Sequence, residues 1–269
     1  MAVSGVERRH ATTTAWGRTA FLAGVISAVG LVLQTALYFV DVTGILPFSQ
    51  DYQETGAGRG EDLAAYYVAL AERQHDILWN IALRDTLGPV AAIGLMVLAL
   101  ALVRLRAEGR PGPQVWALIF SVGALIKLLS DVVYLSQLGV WRDTGFTPEF
   151  PADIIAVGRT SEAVGSLSGY LEHIAYLVLA AALAGLAGVL DRRLDLLARV
   201  LAVALLVAVV AWYADWWPLY AVDGLLTGIV VAPALLVLTG RFLERDAARV
   251  SGEGRSGVLP GPDRPPSGA

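Results

Sequence analysis

Six runs of about 20 or more mostly apolar residues dominate the sequence. An α-helix rises about 1.5 Å per residue, so roughly 20 apolar residues cross the hydrocarbon core of a bilayer, which is about 30 Å thick. Each run is therefore long enough for one span. The pattern predicts an all-α fold, a six-helix transmembrane bundle, with spans at about 16–40, 77–103, 115–138, 164–190, 197–216 and 219–242.

Composition excludes several classes of soluble protein. Only 16% of the residues are charged, against about 25% in average soluble proteins, and the mean hydropathy is +0.60. The chain has no cysteine, which excludes disulfides, thiolate nucleophiles and cysteine-ligated metal clusters. A net charge of −4 gives no argument for nucleic-acid binding. The expected partners are the lipid bilayer and a small-molecule or lipid ligand, and no cofactor is predicted.

The arginine distribution predicts the orientation in the membrane. Fourteen arginines lie in the termini and in the connections after spans two and four, and five lie on the opposite face. Basic residues are enriched on the cytoplasmic side of membrane proteins. Both termini are therefore predicted to be cytoplasmic, in a multi-pass protein of the cell membrane.

The segments outside the spans are a head, two outer loops and a tail. Apolar residues recur at helical spacing over Glu61–Gln74, which predicts an amphipathic helix lying over the outer mouth. One helical turn is predicted from Pro151. The tail is rich in Gly, Pro and Ser and is predicted to be disordered. The predicted boundaries are 1–15 for the head, 16–242 for the membrane domain with outer loops 41–76 and 141–163, and 243–269 for the tail.

Ionisable residues inside the spans carry the most information, because a charge at the bilayer centre costs about 2.5–3.5 kcal/mol or more. Several of them, from three spans, lie at nearly the same depth, roughly 10–14 Å below the outer helix ends. This matching depth predicts one polar cluster that faces the bundle interior. The residues of the layer are Arg84, Asp85, Asp131, Glu172 and His173, with Asp41, Asp215 and Asp223 at the mouth above it.

Lys127 is the only lysine in the chain and falls near the middle of span three. Asp131 and Tyr134 follow four and seven residues later, so the three side chains share one helix face. One interpretation is a structural ion pair that neutralises two buried charges. The other is a proton or ligand site, because a desolvated lysine can act as an acid or a base.

Aromatic residues crowd the same level, and an interfacial belt explains most of them. The segment Trp212–Tyr220 is dense even for a belt and is predicted to wall an apolar pocket. Carboxylates and histidine can ligate divalent metals, but no recognised ligand spacing is present and no metal site is predicted. The general-acid candidates are Asp85, Asp131 and Glu172. The ligand-binding candidates are Arg84, Lys127, Tyr134, Tyr170, His173, Trp212, Asp215, Trp216 and Asp223.

Four of the spans carry distinctive motifs. They are ILWNIALRDTLGPVAAIGLMVLALAL in span two, ALIFSVGALIKLL in span three, SGYLEHIAYLVLAA in span four and LARVLAVALLVAVVAWYAD in span five. Together they resemble a domain-of-unknown-function family of bacterial six-span integral membrane proteins, over about Trp16–Arg241. The chain departs from that family in having Lys127 where arginine is expected and in its longer outer loops. The resemblance implies fold and membrane location and transfers no catalytic role.

Two function classes are compatible with these features. The first is a non-enzymatic membrane protein that binds or moves a small ligand or protons through the polar cluster. The second is a membrane-embedded enzyme, cyclase-like or isomerase-like, that uses an acidic residue as general acid on a lipid or isoprenoid substrate below an aromatic wall. A purely structural or partner-binding role is the remaining interpretation. Both functional classes require the acidic residues to meet in one place.

Overall fold

The computed structural model describes residues 5–42, 63–143 and 151–256, and these are almost entirely helical. The helices are α1 (Gly5–Val42), α2 (Leu63–Asp76), α3 (Leu78–Leu102), α4 (Pro111–Asp143), α5 (Pro151–Gly185), α6 (Arg192–Tyr213), α7 (Trp217–Leu226) and α8 (Ala232–Ser256). Wide π-helical turns continue α3 over Val103–Ala107 and join α7 to α8 over Thr227–Val231.

Six helical segments among the described residues are long and apolar enough to cross a membrane. Large apolar side chains such as Leu22, Leu100 and Val203 are exposed on the outside of the bundle, where lipid tails are their natural neighbours. The predicted all-α six-span bundle is therefore confirmed, and its helices contact the lipid bilayer. The spans are Ala11–Asp41, Leu78–Ala107, Pro111–Ser136, Asp153–Gly185, Arg192–Tyr213 and Pro218–Ser251.

Each span packs against the next span along the chain, and the span formed by α7 and α8 returns to pack along α1. This order closes the spans into a ring around a common interior. The helix α2 packs against α5, α4 and α3 at one end of the ring, which we call the α2 end. The chain enters α3 and α5 and leaves α1 and α4 at that end.

Two short connections lie at the opposite end, between α3 and α4 and between α5 and α6. Gly109 and Gly188 have φ angles of 76° and 79° in these turns, a backbone conformation that glycine adopts without steric cost. The Asp191 side chain then caps α6 by accepting hydrogen bonds from the backbone N–H groups of Arg193 and Leu194, both at 2.9 Å. Short connections of this kind make consecutive spans antiparallel neighbours.

The closest helix contact joins α1 and α8 through small residues. A Cβ atom on Gly24 would lie 2.5 Å from the carbonyl oxygen of Leu236, and one on Gly240 would lie 2.7 Å from the carbonyl oxygen of Ala20. Helices in membranes gain stability mainly from such close backbone approach, since lipid provides no hydrophobic driving force between them.

The helices at both ends of the chain extend further into the head and the tail than the sequence predicted. Helix α1 already begins at Gly5, and α8 continues to Ser256, so the predicted tail boundary at residue 243 is too early. The reason is tertiary packing: Leu243 and Ala247 are buried, and Thr14 of α1 is hydrogen-bonded to Ser251 at 3.1 Å. Residues 257–269 lie outside the described residues.

The outer loops also differ from the prediction. A helix is present at Leu63–Asp76, close to the expected amphipathic helix, although residues 43–62 lie outside the described part. The expected single turn at Pro151 is instead the start of α5, which continues without interruption to Gly185. Tyr67 of α2 explains this extension, because its ring fills a niche over Gly158 that the extra turns of α5 provide.

We expect Gly24→Ala to lower the free energy of unfolding by about 1–3 kcal/mol, because the added methyl group pushes α1 away from α8. Thermal or detergent-induced unfolding of the purified protein measures this change. Gly224→Ala is the matched control, since a Cβ there meets no atom within 4 Å and alanine favours the helix. Equal stability of the two variants would contradict the proposed role of the close contact.

Candidate functional site

Arg84 and Asp85 lie two turns into α3, and both are buried. The Arg84 guanidinium donates from Nε to Asp85 Oδ1 at 2.9 Å and from Nη1 to Asp41 Oδ2 at 3.2 Å. Asp41 stands at the end of α1, so this arginine joins α1 to α3. Two of the five guanidinium N–H donors are thus in charge-assisted hydrogen bonds to carboxylates, which offsets part of the cost of removing the charge from water.

Helix α2 is tied to the same group of charges. Arg73 donates from Nη2 to Asp41 Oδ1 at 3.0 Å, so Asp41 accepts from two arginines, one on each of its oxygens. Tyr67, also on α2, is almost completely buried, and this burial, with a hydrogen bond to Glu162, raises the pKa of its phenol. Helix α2 is therefore held in place by the packing of Tyr67 and by the ion pair between Arg73 and Asp41.

Lys127 occupies the centre of a second group of charges. Its ammonium donates to Asp131 Oδ1, one turn further along α4, and to Glu172 Oε1 of α5 at 3.1 Å. Tyr176 also donates to Glu172 Oε1, at 2.7 Å. One buried cation is thus shared by two carboxylates from neighbouring spans.

A pair of serines fixes α4 against α5 beside Lys127. The Ser130 hydroxyl donates to the Ser168 carbonyl oxygen, and the Ser168 hydroxyl donates to the Ser130 carbonyl oxygen, both at 2.9 Å. Ser168 lies one turn before Glu172, and Ser130 lies directly before Asp131. The reciprocal hydrogen bonds therefore set the distance across which Lys127 reaches both carboxylates.

The two groups of charges meet between α3 and α4. Tyr134, on the Lys127 face of α4, places its ring 5.8 Å from the Arg84 guanidinium carbon, a favourable cation–π contact. Asp131 Oδ2 lies against Gly88, where any larger residue on α3 would collide with it. Asp85, Asp131 and Glu172 are therefore brought into one group, and their predicted role as general acids stays a prediction.

The joined groups form what we call the ion-pair cluster. Among the described residues it contains three basic and four acidic side chains, so the carboxylates outnumber the cations by one. Two carboxylate oxygens, Asp85 Oδ2 and Asp131 Oδ2, are buried and have no hydrogen-bond partner in this part of the chain. The cluster consists of Asp41, Arg73, Arg84, Asp85, Lys127, Asp131 and Glu172.

His173 lies next to Glu172 but faces an aromatic group. It is 1% exposed, and its Nδ1 donates to the Gly169 carbonyl oxygen at 2.6 Å, since a carbonyl can only accept. Its ring stacks on Trp212 at 4.7 Å, and Tyr220 lies 6.1 Å away on α7. Trp212 thus contributes to a wall around the histidine rather than above the acidic residues.

Three of the predicted ligand-binding residues lie away from the cluster. Tyr170 is 54% exposed, on the side of α5 opposite Glu172. Trp216 is 60% exposed. Asp215 is exposed and has a φ angle of 51°, because it ends α6 in a left-handed conformation that lets the Trp216 N–H bond the Ala211 carbonyl at 2.8 Å. Its role here is to terminate a helix.

Sequence reasoning missed several members of the site. It placed Asp41 at the mouth, whereas the side chain is buried between two arginines. It gave no role to Arg73, which donates to Asp41 from α2. Tyr176 was detectable, since it lies one turn after Glu172 on the same face.

The described residues contain no group of three or more histidine, aspartate or glutamate side chains arranged to hold a metal ion. Comparisons of the chain with protein-family models, with curated proteins and with solved structures gave no match. The resemblance of the span motifs to a bacterial six-span family therefore stays a prediction.

We expect Lys127→Met to lower the free energy of unfolding by about 3–5 kcal/mol, because the buried Asp131 and the partly buried Glu172 lose their shared cation. Adding Asp131→Leu and Glu172→Gln to this variant removes both buried charges and should restore most of the loss. Detergent-induced unfolding of the three purified proteins tests this. If the triple variant is as unstable as Lys127→Met, the charges are not partners. The control is Arg110→Met, which removes an exposed cation.

Proposed function

We propose that the chain is an integral membrane protein that binds a proton at the ion-pair cluster, as part of a proton-coupled activity. The observation that carries this proposal is the sharing of Lys127 by Asp131 and Glu172. A single ammonium balances one of the two negative charges. A proton on the carboxylate pair balances the other, and the two groups then titrate as one coupled unit.

A carboxylate oxygen without a hydrogen-bond donor, in the ion-pair cluster, supports this proposal. Asp131 Oδ1 accepts from Lys127, but Asp131 Oδ2 is buried and has no partner among the described residues. Asp85 Oδ2, on the facing helix, has the same property. A buried carboxylate oxygen without a donor is costly, and a bound proton lowers this cost because it removes the negative charge.

The distribution of polar and apolar residues favours exchange with the α2 end. Beyond the cluster, towards the opposite end, the interior is filled by apolar side chains such as Leu98, Leu183 and Leu236. The cavity among them has a volume of about 40 Å³, close to the space of one water molecule. Protons that reach Asp131 in this conformation therefore come from the α2 end.

A membrane enzyme with a general acid fits these contacts less well. General acid catalysis needs a protonated carboxyl facing an open substrate pocket. Asp85 is engaged by Arg84, and Glu172 accepts from both Lys127 and Tyr176. The aromatic side chains that were expected to wall such a pocket pack on His173 instead.

We further infer that the α2 end faces the outside of the cell membrane and that both termini are cytoplasmic. The termini and the connections α3–α4 and α5–α6 share the opposite end, and fourteen of the nineteen arginines belong to them. The proton then exchanges with the external medium. From the resemblance of the span motifs, we also propose that the chain belongs to the bacterial six-span family.

A reporter enzyme that is active only outside the cytoplasm, fused after Ala269, should remain inactive in cells. A fluorescent protein that folds only in the cytoplasm should be bright at the same position. The same reporters inserted into the first outer loop are the control and should give the reverse result. An active external reporter at the C-terminus would contradict the orientation.

The proton site is tested by Glu172→Gln, which leaves Lys127 and Asp131 as a balanced pair. We expect the wild-type protein to take up one proton more than this variant when a weakly buffered solution is acidified from slightly alkaline pH. A pH-indicator dye or direct titration of the purified protein measures the difference. The fold should be retained, because the remaining ion pair is neutral overall.

Asp215→Asn is the matched control, since it also removes one carboxylate but from an exposed helix end. We expect this variant to keep the proton uptake that Glu172→Gln loses. Equal uptake near neutral pH by the wild type and a folded Glu172→Gln variant would contradict the proposed proton site and would favour a structural role for the ion pair.

A further inference from the structure

Asp223 is a carboxylate within the last span, on α7, that does not belong to the ion-pair cluster. Its Oδ2 atom is buried and has no hydrogen-bond partner in the described residues. No basic side chain of the described part of the chain pairs with it: Lys127, Arg73 and Arg84 are all engaged elsewhere. Carboxylates within a membrane span are normally paired with a cation or face a bound ion or water.

Thr227 follows Asp223 by four residues, so the two side chains share one helix face. A helical threonine normally donates its hydroxyl hydrogen to the carbonyl four residues earlier. Thr227 Oγ1 is buried and makes no such bond in the described structure. Two oxygen atoms without partners are thus placed on successive turns of the same helix.

The backbone is irregular at the same point. Thr227–Val231 forms a π-helical turn. The Thr227 carbonyl oxygen accepts a hydrogen bond from the backbone N–H of Ala232, five residues later, whereas in an α-helix the donor is the fourth residue. Such a turn shifts the hydrogen-bond ladder by one residue and is frequent at functional sites. Irregular backbone in a membrane span, with carbonyl groups turned to bound ions, is a recurrent feature of cation sites in transporters.

A third oxygen comes from across the helix interface. The hydroxyl of Thr35, on α1, lies directly against Gly228, where any Cβ atom would collide with it. Gly228 is the second residue of the π-helical turn. Glycine at this position therefore allows a hydroxyl from α1 to approach the irregular backbone that follows Asp223.

We propose that Asp223, Thr227 and Thr35 form a binding site for Na⁺, completed by backbone carbonyl oxygen of the π-helical turn. The donor set consists of oxygen alone, which suits a hard cation. A single carboxylate balances one positive charge, whereas divalent ions are usually held by more acidic ligands or by several waters. Asp223 lies five residues from the start of the span at Pro218, so the ion enters from the α2 end.

This site is separate from the proton site. The proton site uses Lys127, Asp131 and Glu172 on α4 and α5, and the sodium site uses α1, α7 and the π-helical turn after α7. Tyr220 lies three residues before Asp223, and its ring is 6.1 Å from the ring of His173, the neighbour of Glu172. The sodium site does not depend on the proton proposal.

The test is thermal unfolding of the purified full-length protein while NaCl replaces choline chloride at constant ionic strength. We expect the unfolding temperature to rise and saturate, by about 5–10 °C when Na⁺ exceeds its dissociation constant roughly a hundredfold. Asp223→Asn should abolish this rise. Thr227→Val should increase the half-saturating Na⁺ concentration about tenfold, because one ligand is lost while the side-chain shape is kept.

Two controls make the result specific. Asp215→Asn removes an exposed carboxylate that follows the end of α6 and should respond to Na⁺ like the wild type. Glu172→Gln should also keep the full response, so failure of the proton proposal and failure of this one are distinguishable. Equal unfolding temperatures of the wild type in NaCl and choline chloride, or an unchanged response in Asp223→Asn, would overturn the sodium site.

A direct measurement covers the case in which Asp223→Asn does not fold. Binding of radioactive ²²Na⁺ to the immobilised wild type should be displaced by unlabelled NaCl and not by choline chloride. Thr227→Val should bind the label more weakly under the same conditions. Undiminished binding by Thr227→Val, or absence of displaceable binding by the wild type, would overturn the proposal.

Discussion

The sharing of the Lys127 ammonium by Asp131 and Glu172 is the contact around which the polar interior is organised. Charges inside a membrane span are costly unless they are paired, so each of these residues constrains the position of the others. Because Glu172 lies on α5 and the other two lie on α4, pairing fixes the rotation of both helices about their axes. The reciprocal hydrogen bonds of Ser130 and Ser168 hold the same two helices at the required separation.

The same principle extends outward to the α2 end. Arg84 links α3 to α1 through Asp41, and Arg73 links α2 to that aspartate. The chain of ion pairs therefore joins elements that are far apart in sequence, and it ends on a helix that lies outside the candidate spans. Movement of α2 would remove one of the two partners of Asp41 and change the electrostatic balance around Arg84. Helix α2 and the ion-pair cluster are therefore structurally coupled.

The two halves of the bundle have different physical functions. At the α2 end the interior holds charges, hydroxyl groups and aromatic rings, several with unsatisfied hydrogen-bonding atoms. At the opposite end it is closed by apolar side chains and by the close contact of α1 with α8 at Gly24 and Gly240. Polar atoms without a protein partner are tolerated where a proton, an ion or water can bind to them. Close packing in the apolar half provides stability that offsets the cost of burying these polar atoms.

The sequence by itself determined the helical class, the number and order of the spans and the depth of the charged layer, because bilayer thickness and helical rise are local constraints on a single run of residues. The partnership of Lys127 with Asp131 was also readable, since both lie on one helix face. Only the tertiary structure brought Glu172 to the same lysine, buried Asp41 between two arginines and set Thr35 beside the π-helical turn. It also placed Tyr170, Asp215 and Trp216 outside the cluster. Helix rotation and partner choice depend on packing between distant segments, and no periodicity within one helix contains that information.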